Sequence, residues 1–206
     1  MSSIATRSGG RWTALVVLVL VLAVALSVSP ATAKKKDVIA KYKANAVVMS
    51  GVGTTQPTQF NADLYGWNTD EQRDEILGAI KEASDDKYAN KAVSQALHRQ
   101  DRVGTMWVTK SIGYPIRYAR QFESGGKTQI ILATDRPMEF SEVYAGSQSQ
   151  DFDVTIVILD LPAGGKNGDG ILSVGTELRW DEGKDKIEPT NITSQPIKLT
   201  NVHEVK

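Results

Sequence analysis

From Leu172 to Trp180 the side chains change character at every step. Leu172, Val174, Thr176, Leu178 and Trp180 fall on one side, and Ser173, Gly175, Glu177 and Arg179 on the other. Only an extended, pleated segment has the period of two that puts such a set on a single face. The spacing therefore predicts one strand over 171–180 with one wet face. It follows Asp153–Leu159, where Val154, Ile156 and Ile158 alternate with Thr155, Val157 and Leu159, so that both faces are apolar. A strand of that kind lies centrally, covered above and below.

Period two extends through most of the later half. Met106, Trp107 and Val108 lead into Ile112-Gly113-Tyr114-Pro115, and the spacing places Tyr114, Ile116 and Tyr118 on a common face. Glu123-Ser124-Gly125-Gly126 reads as a turn, with Thr128, Ile130 and Leu132 on the return strand of a hairpin. Asp135-Arg136-Pro137 ends that strand, because proline lacks the ladder donor and restricts the residue before it. Beyond a charged turn at Asp181–Lys184, the pairs Ile187/Ile192 and Ile197/Leu199 suggest further short strands. Upstream, Val47, Met49 and Val52, then Phe60, Ala62 and Leu64, read as two more. Connections this short imply antiparallel pairing, since parallel strands need long crossovers.

One stretch follows a different period. Thr69 and Gln72 have capping-box spacing, and Asp70 and Glu71 place negative charge where a helix dipole favours it. Ile76, Leu77, Ile80 and Ala83 then recur at helical intervals, as do Tyr88, Ala92, Val93, Ala96 and Leu97 after Ser84-Asp85-Asp86. The small, alanine-rich second stripe suits close packing on something broad, such as a sheet. The fold class expected is α+β: a mainly antiparallel sheet or sandwich with a pair of amphipathic helices packed on it.

Ahead of this body lies an address. Arg7 and Arg11 precede an unbroken apolar run from Ala14 to Leu26, and Ser29, Pro30 and Ala31-Thr32-Ala33 follow. Positive start, short apolar stretch and small residues at alternate positions make a secretory signal peptide over 1–33, cleaved near Ala33. The run is short of the roughly 17–25 residues that span a bilayer. Residues 34–43, rich in lysine, read as a flexible basic leader, and 44–206 as a single domain. The product is expected to be secreted or periplasmic, with membrane contact only through the signal segment.

Composition narrows the function classes. The absence of cysteine excludes a disulfide scaffold, a thiol nucleophile and a cysteine-ligated metal. Twenty-four basic residues balance 24 acidic ones, so no broad positive field exists to hold nucleic acid, and no nucleic-acid partner is expected. Only His98 and His203 supply imidazole, without H-x-x-x-H or H-E-x-x-H spacing, and no G-x-S-x-G elbow positions a serine.

Three groups remain as candidate sites. Asp135, Glu139 and Glu142 cluster where a strand gives way to a loop, with Arg117, Arg120 and Arg136 from neighbouring segments available to fork onto an anion. Trp67 and Trp107, if exposed, offer stacking faces for a ligand. Asn167, Asp169 and Gly170 occupy the third, fifth and sixth places of a calcium loop, but Gly165 and Thr176 stand where its first and last carboxylates belong. Calcium is thus a weak expectation, and a hairpin turn in which Asn-Gly and Asp-Gly supply positive φ is preferred. No other cofactor is expected.

Tyr65-Gly66-Trp67-Asn68-Thr69-Asp70-Glu71, Ala133-Thr134-Asp135-Arg136-Pro137 and Gln195–Val202 resemble a pattern shared by uncharacterised secreted bacterial proteins of similar length. The resemblance implies bacterial export and carries no activity. The expectation is an exported, non-enzymatic domain that binds a ligand or protein partner. A carboxylate-based extracellular hydrolase centred on Asp135, Glu139 or Glu142 is the alternative, and a hollow barrel carrying an apolar ligand a third class.

Overall fold

The alternating segments form strands that pair antiparallel throughout. The computed structural model describes residues 36–47, 58–83, 89–109, 111–138, 154–163, 167–183, 186–192 and 196–205. The signal segment, Met49, Val52, Tyr88, Glu139 and Glu142 lie outside them. The strands are β1 (Ala40–Val47), β2 (Thr58–Leu64), β3 (Gly104–Val108), β4 (Tyr114–Ile116), β5 (Tyr118–Ser124), β6 (Lys127–Thr134), β7 (Thr155–Pro162), β8 (Gly168–Val174), β9 (Thr176–Asp181), β10 (Lys186–Ile192) and β11 (Ile197–Glu204). Helices α1 (Asp70–Ala83) and α2 (Ala89–Arg99) stand between β2 and β3. No helix among the described residues is long and apolar enough to cross a membrane.

Nine strands make one sheet in the order β4-β3-β2-β1-β11-β8-β7-β6-β5, and β9 and β10 form a separate hairpin. The edges of the large sheet are β4 and β5, yet a single residue, Arg117, separates them in the chain. A sheet whose two edges are joined by one residue has to roll up, so this one forms a nearly closed barrel with β4, Arg117 and β5 as a single kinked stave. The Arg117 backbone N–H donates to Ala133 O on β6 at 2.9 Å, and Val103 N–H to Ile116 O at 2.9 Å. At this size, about eight staves, a barrel's interior is just wide enough for side chains to fill.

Side chains do fill it. Phe60, Leu64, Met106, Ile116, Ile130, Leu132, Leu159, Leu172, Leu199 and Val202, drawn from every part of the ring, are fully buried in one cluster. Each such side chain contributes about 2 kcal/mol of burial, set against the entropy of ordering it. This core gives no support to a hollow carrier of apolar ligand.

A second cluster covers the outer face of β5–β8. Ile76, Leu77 and Ile80 of α1 and Val93 and Leu97 of α2 pack there with Tyr118, Ile131, Ile156 and Ile158, and with Leu178 and Ile187 of the hairpin. Strand β7 is thus covered on both faces, as its sequence predicts. The capping box also forms: Thr69 N–H donates to Gln72 Oε1 at 3.0 Å, and Gln72 N–H to Thr69 Oγ1 at 3.3 Å.

Four local readings are corrected. The strand expected over 171–180 is two, broken at Gly175, whose φ of 60° lies in the left-handed region that favours glycine; the chain leaves the barrel there, and Ser173 is buried rather than wet. Tyr118 does not share a face with Tyr114 and Ile116. Alternation slips at Arg117, which sends Tyr118 to the outer cluster and Ala119 inward. Ala92 is exposed, leaving a narrower stripe of Val93, Ala96 and Leu97. Strand β1 begins at Ala40, within the stretch read as leader. Its inward residues Ala40, Tyr42, Ala44 and Ala46 are mostly too small to register as a hydrophobic pattern.

Two glycines of the Asn-Gly-Asp-Gly stretch have a packing role. A Cβ at Gly168 would lie 2.1 Å from Asp160 O, and one at Gly170 2.5 Å from Ile158 O, so β8 can approach β7 only without side chains there. Gly170→Ala is expected to cost about 2–3 kcal/mol through this clash. Gly78→Ala, in α1 with open space around it, should stabilise by up to about 1 kcal/mol. Urea unfolding of the two variants checks both signs.

Candidate functional site

Where the barrel closes, the kinked stave cannot complete a ladder by itself, and polar side chains take over. Asn68, just ahead of the α1 cap and 3% exposed, acts as a substitute strand. Its N–H donates to Ala119 O at 3.1 Å, its Oδ1 accepts from Ala119 N–H at 2.6 Å, and its Nδ2 donates to Arg117 O at 3.1 Å. Arg120 Nη1 donates to Asn68 O at 3.0 Å and its Nη2 lies 2.8 Å from Asp70 Oδ1.

Beside it, Asp135 follows the last residue of β6. Its side chain is 2% exposed. Oδ2 accepts from His98 Nδ1 at 2.5 Å and lies 3.6 Å from Arg117 Nε, too far for a hydrogen bond but close enough for charge neutralisation. Thr134 Oγ1 donates weakly to Oδ1 at 3.4 Å. Arg117 Nη1 donates to Gln100 O at 2.9 Å, and Gln100 Nε2 to Glu75 Oε2 at 2.7 Å. Arg99 Nε donates to Glu75 Oε1 at 3.1 Å. These two donors hold the Glu75 carboxyl below the usual carboxylate range, Gln100 being the larger cause.

The cluster thus ties both helices to the barrel's closure. Its carboxylates and amides are occupied by one another, and Asp135 is too deeply buried to touch a substrate. Glu75, Arg99, Asp70 and His98 are turned to solvent; His98 is two-thirds exposed, with Nδ1 held by Asp135 and no hydrogen bond to Nε2 among the described residues.

Of the residues singled out from sequence, the structure brings Asp135 and Arg117 together. Arg136 is exposed beyond the strand end, its carbonyl accepting from Thr155 Oγ1 at 3.0 Å. Trp67 is half-buried against the barrel interior. Asn167 takes a left-handed φ of 53° at the end of the β7–β8 connection, but Gly168, Asp169 and Gly170 are strand residues of β8 without positive φ, so the turn expected at Asp-Gly does not form. Asp169 is an exposed ladder residue of β8 opposite Asp160 and Thr200. No group of three or more metal-ligating side chains occurs among the described residues. His98, Asn68 and Gln100 went unrecognised because nothing local marks them; His98 and Asp135 are 37 residues apart.

Trp107 lies elsewhere, on the half of the barrel away from α1 and α2. Strand pairing sets Trp107 opposite Asn61, Asn61 opposite Lys43 and Lys43 opposite His203, one row across β3, β2, β1 and β11 in which Asn61 is buried and the other three are partly exposed. Beside it, Thr105 accepts from or donates to the Tyr65 hydroxyl at 3.0 Å, and Arg102 lies 5.8 Å from the Tyr65 ring centroid. Lys41, Lys43 and Lys198 enter no ion pair among the described residues.

No known protein family, curated protein or solved structure matches the chain.

Arg117→Ala is expected to destabilise by about 3 kcal/mol, since it strips a buried carboxylate of its permanent cation; the urea midpoint reads this. Because the Glu75 carboxyl is lowered in the folded state, its stabilising contribution is present above its unfolded value of about 4.3 and fades as pH falls through the folded one. The stability gap between wild type and Glu75→Gln should therefore narrow on acidification below about pH 4, by a modest amount since the group is half-exposed.

Proposed function

We propose that the chain is an exported, non-enzymatic binding domain that works through the outward face of β1, β2 and β3. The signal-peptide pattern over 1–33 supports a secreted or periplasmic setting in a bacterium. The single observation that carries the binding reading is the row of Trp107, Lys43 and His203, set around the buried amide of Asn61, on a face that neither α1 nor α2 covers. It sets an aromatic ring, an ammonium and an imidazole on a rigid sheet, over a core of buried apolar side chains. Rigid elements hold such groups in place better than loops do.

A second reading rests on His98. An exposed imidazole backed by a buried carboxylate has the geometry of a general base. It makes the hydrolase depend on His98 rather than on Asp135 directly, and His98→Gln would abolish turnover in a folded protein.

A thermal-shift survey of soluble glycans, peptides and lipid vesicles tests the binding reading, since a ligand of the native state raises Tm. The stabilising ligand is expected to lose its effect on Trp107→Ala and on Lys43→Glu, while unliganded stability changes by no more than about 0.5–1 kcal/mol. A ligand whose shift survives both substitutions would place the working surface elsewhere.

A further inference from the structure

We infer that the face of the barrel away from α1 and α2 recognises an acidic saccharide, an oligomer bearing carboxylates on its sugar rings; this rests on the binding reading above. Three features point to that chemistry together. The first is charge. Lys43 and Lys198 stand outward and, with Lys41 across from Asp63, enter no ion pair among the described residues; His203 flanks the row. A group of lysines on one face is complementary to an anion. Lys41 and Lys43 are two positions apart, about 7 Å along β1, and Lys198 lies opposite Val47, about 14 Å further on. Cations so spaced suit a polymer that carries charge at intervals better than a single compact anion.

The second is the ring. Trp107 is partly exposed at the end of the row, on a strand whose backbone is fixed by pairing on both sides. An indole face held in this way stacks on the apolar face of a sugar ring. The third is the set of neutral donors and acceptors beside ring and cations. Gln59 and Asn45, both exposed, are paired in the outward row next to Trp107 and Lys43, while Asn61 between those two is buried and donates to Gln59 O at 3.5 Å. Side-chain amides both donate and accept, which matches hydroxyl groups. A polyphosphate would use the lysines and leave the amides and the indole idle. A neutral glycan would use the indole and amides and leave the lysines idle. An acidic saccharide uses all three.

The test is calorimetric titration of the full chain with a linear hexamer of galacturonic acid, and with the same hexamer after its carboxylates are reduced to alcohols. The oligouronate should bind, with the reduced oligomer at least about tenfold weaker. Trp107→Ala and the double variant Lys43→Gln/Lys198→Gln should each weaken oligouronate binding at least about fivefold. Added salt should weaken the wild type much more than the double variant. Equal binding of both hexamers, indifference to Trp107→Ala, competition by inorganic polyphosphate at equal charge, or no binding of either hexamer would each overturn the assignment. The broader reading is judged separately. A different ligand that depends on Trp107 and Lys43 would keep the face and reject the acidic saccharide, whereas a ligand indifferent to both would reject the face itself.

Discussion

The structure depends on closure. A rolled sheet leaves two rows of backbone donors and acceptors at its edges, and each group left unpaired away from water is costly. Here the edges meet at one residue. The kink at Arg117 gives β4 to β3 and β5 to β6, and the hydrogen bonds lost at the bend are supplied by Asn68, which presents both its backbone and its amide to Ala119. The helices follow from the same requirement. Asn68 immediately precedes the α1 cap, and Gln100, to which Arg117 donates, immediately follows α2. The segment that repairs the seam is therefore also the one that starts one helix and ends the other, and it holds both over β5–β8.

Most of the fold could be read from alternation alone, and the exceptions share a cause. Period two identifies β2, β6, β7 and β11 because their inward residues are large: Phe60, Leu132, Leu159 and Leu199 are unmistakable. It is nearly silent for β1, whose inward residues are largely alanines. It misleads at Gly175 and Arg117, where the pattern continues across a point at which the backbone does not. Both breaks are imposed from a distance: at Gly175 by the chain's departure into the β9–β10 hairpin, at Arg117 by the meeting of two edges remote in the sheet. The candidate site was half legible. Asp135 and Arg117 stand out as an acid and a base near strand ends, but His98 looks like an ordinary helix-terminal cation until folding sets it against Asp135.

The two polar regions contrast in a way that separates structure from recognition. At the seam, charges face one another across short distances under the helices, and little is left over for a visitor. On the opposite half of the barrel, lysines are held apart by the register of the sheet and face water. Buried ion pairs rarely gain much over an apolar equivalent, so a network such as Asp135–Arg117–His98 is best understood as fixing one arrangement of helices and staves among several that the hydrophobic clusters alone would tolerate. That rigidity extends through the paired strands to the exposed row, which keeps its spacing without help from loops.

The order of the staves has one more consequence. Nearly every strand pairs with its neighbour in the chain, but β11 pairs with β1, and Val205 N–H reaches back to Lys41 O at 2.8 Å. During synthesis or translocation β1 therefore has no lasting partner on one side until β11 follows it. Such a ring stays pliable while it is threaded and locks only when β11 arrives between β1 and β8.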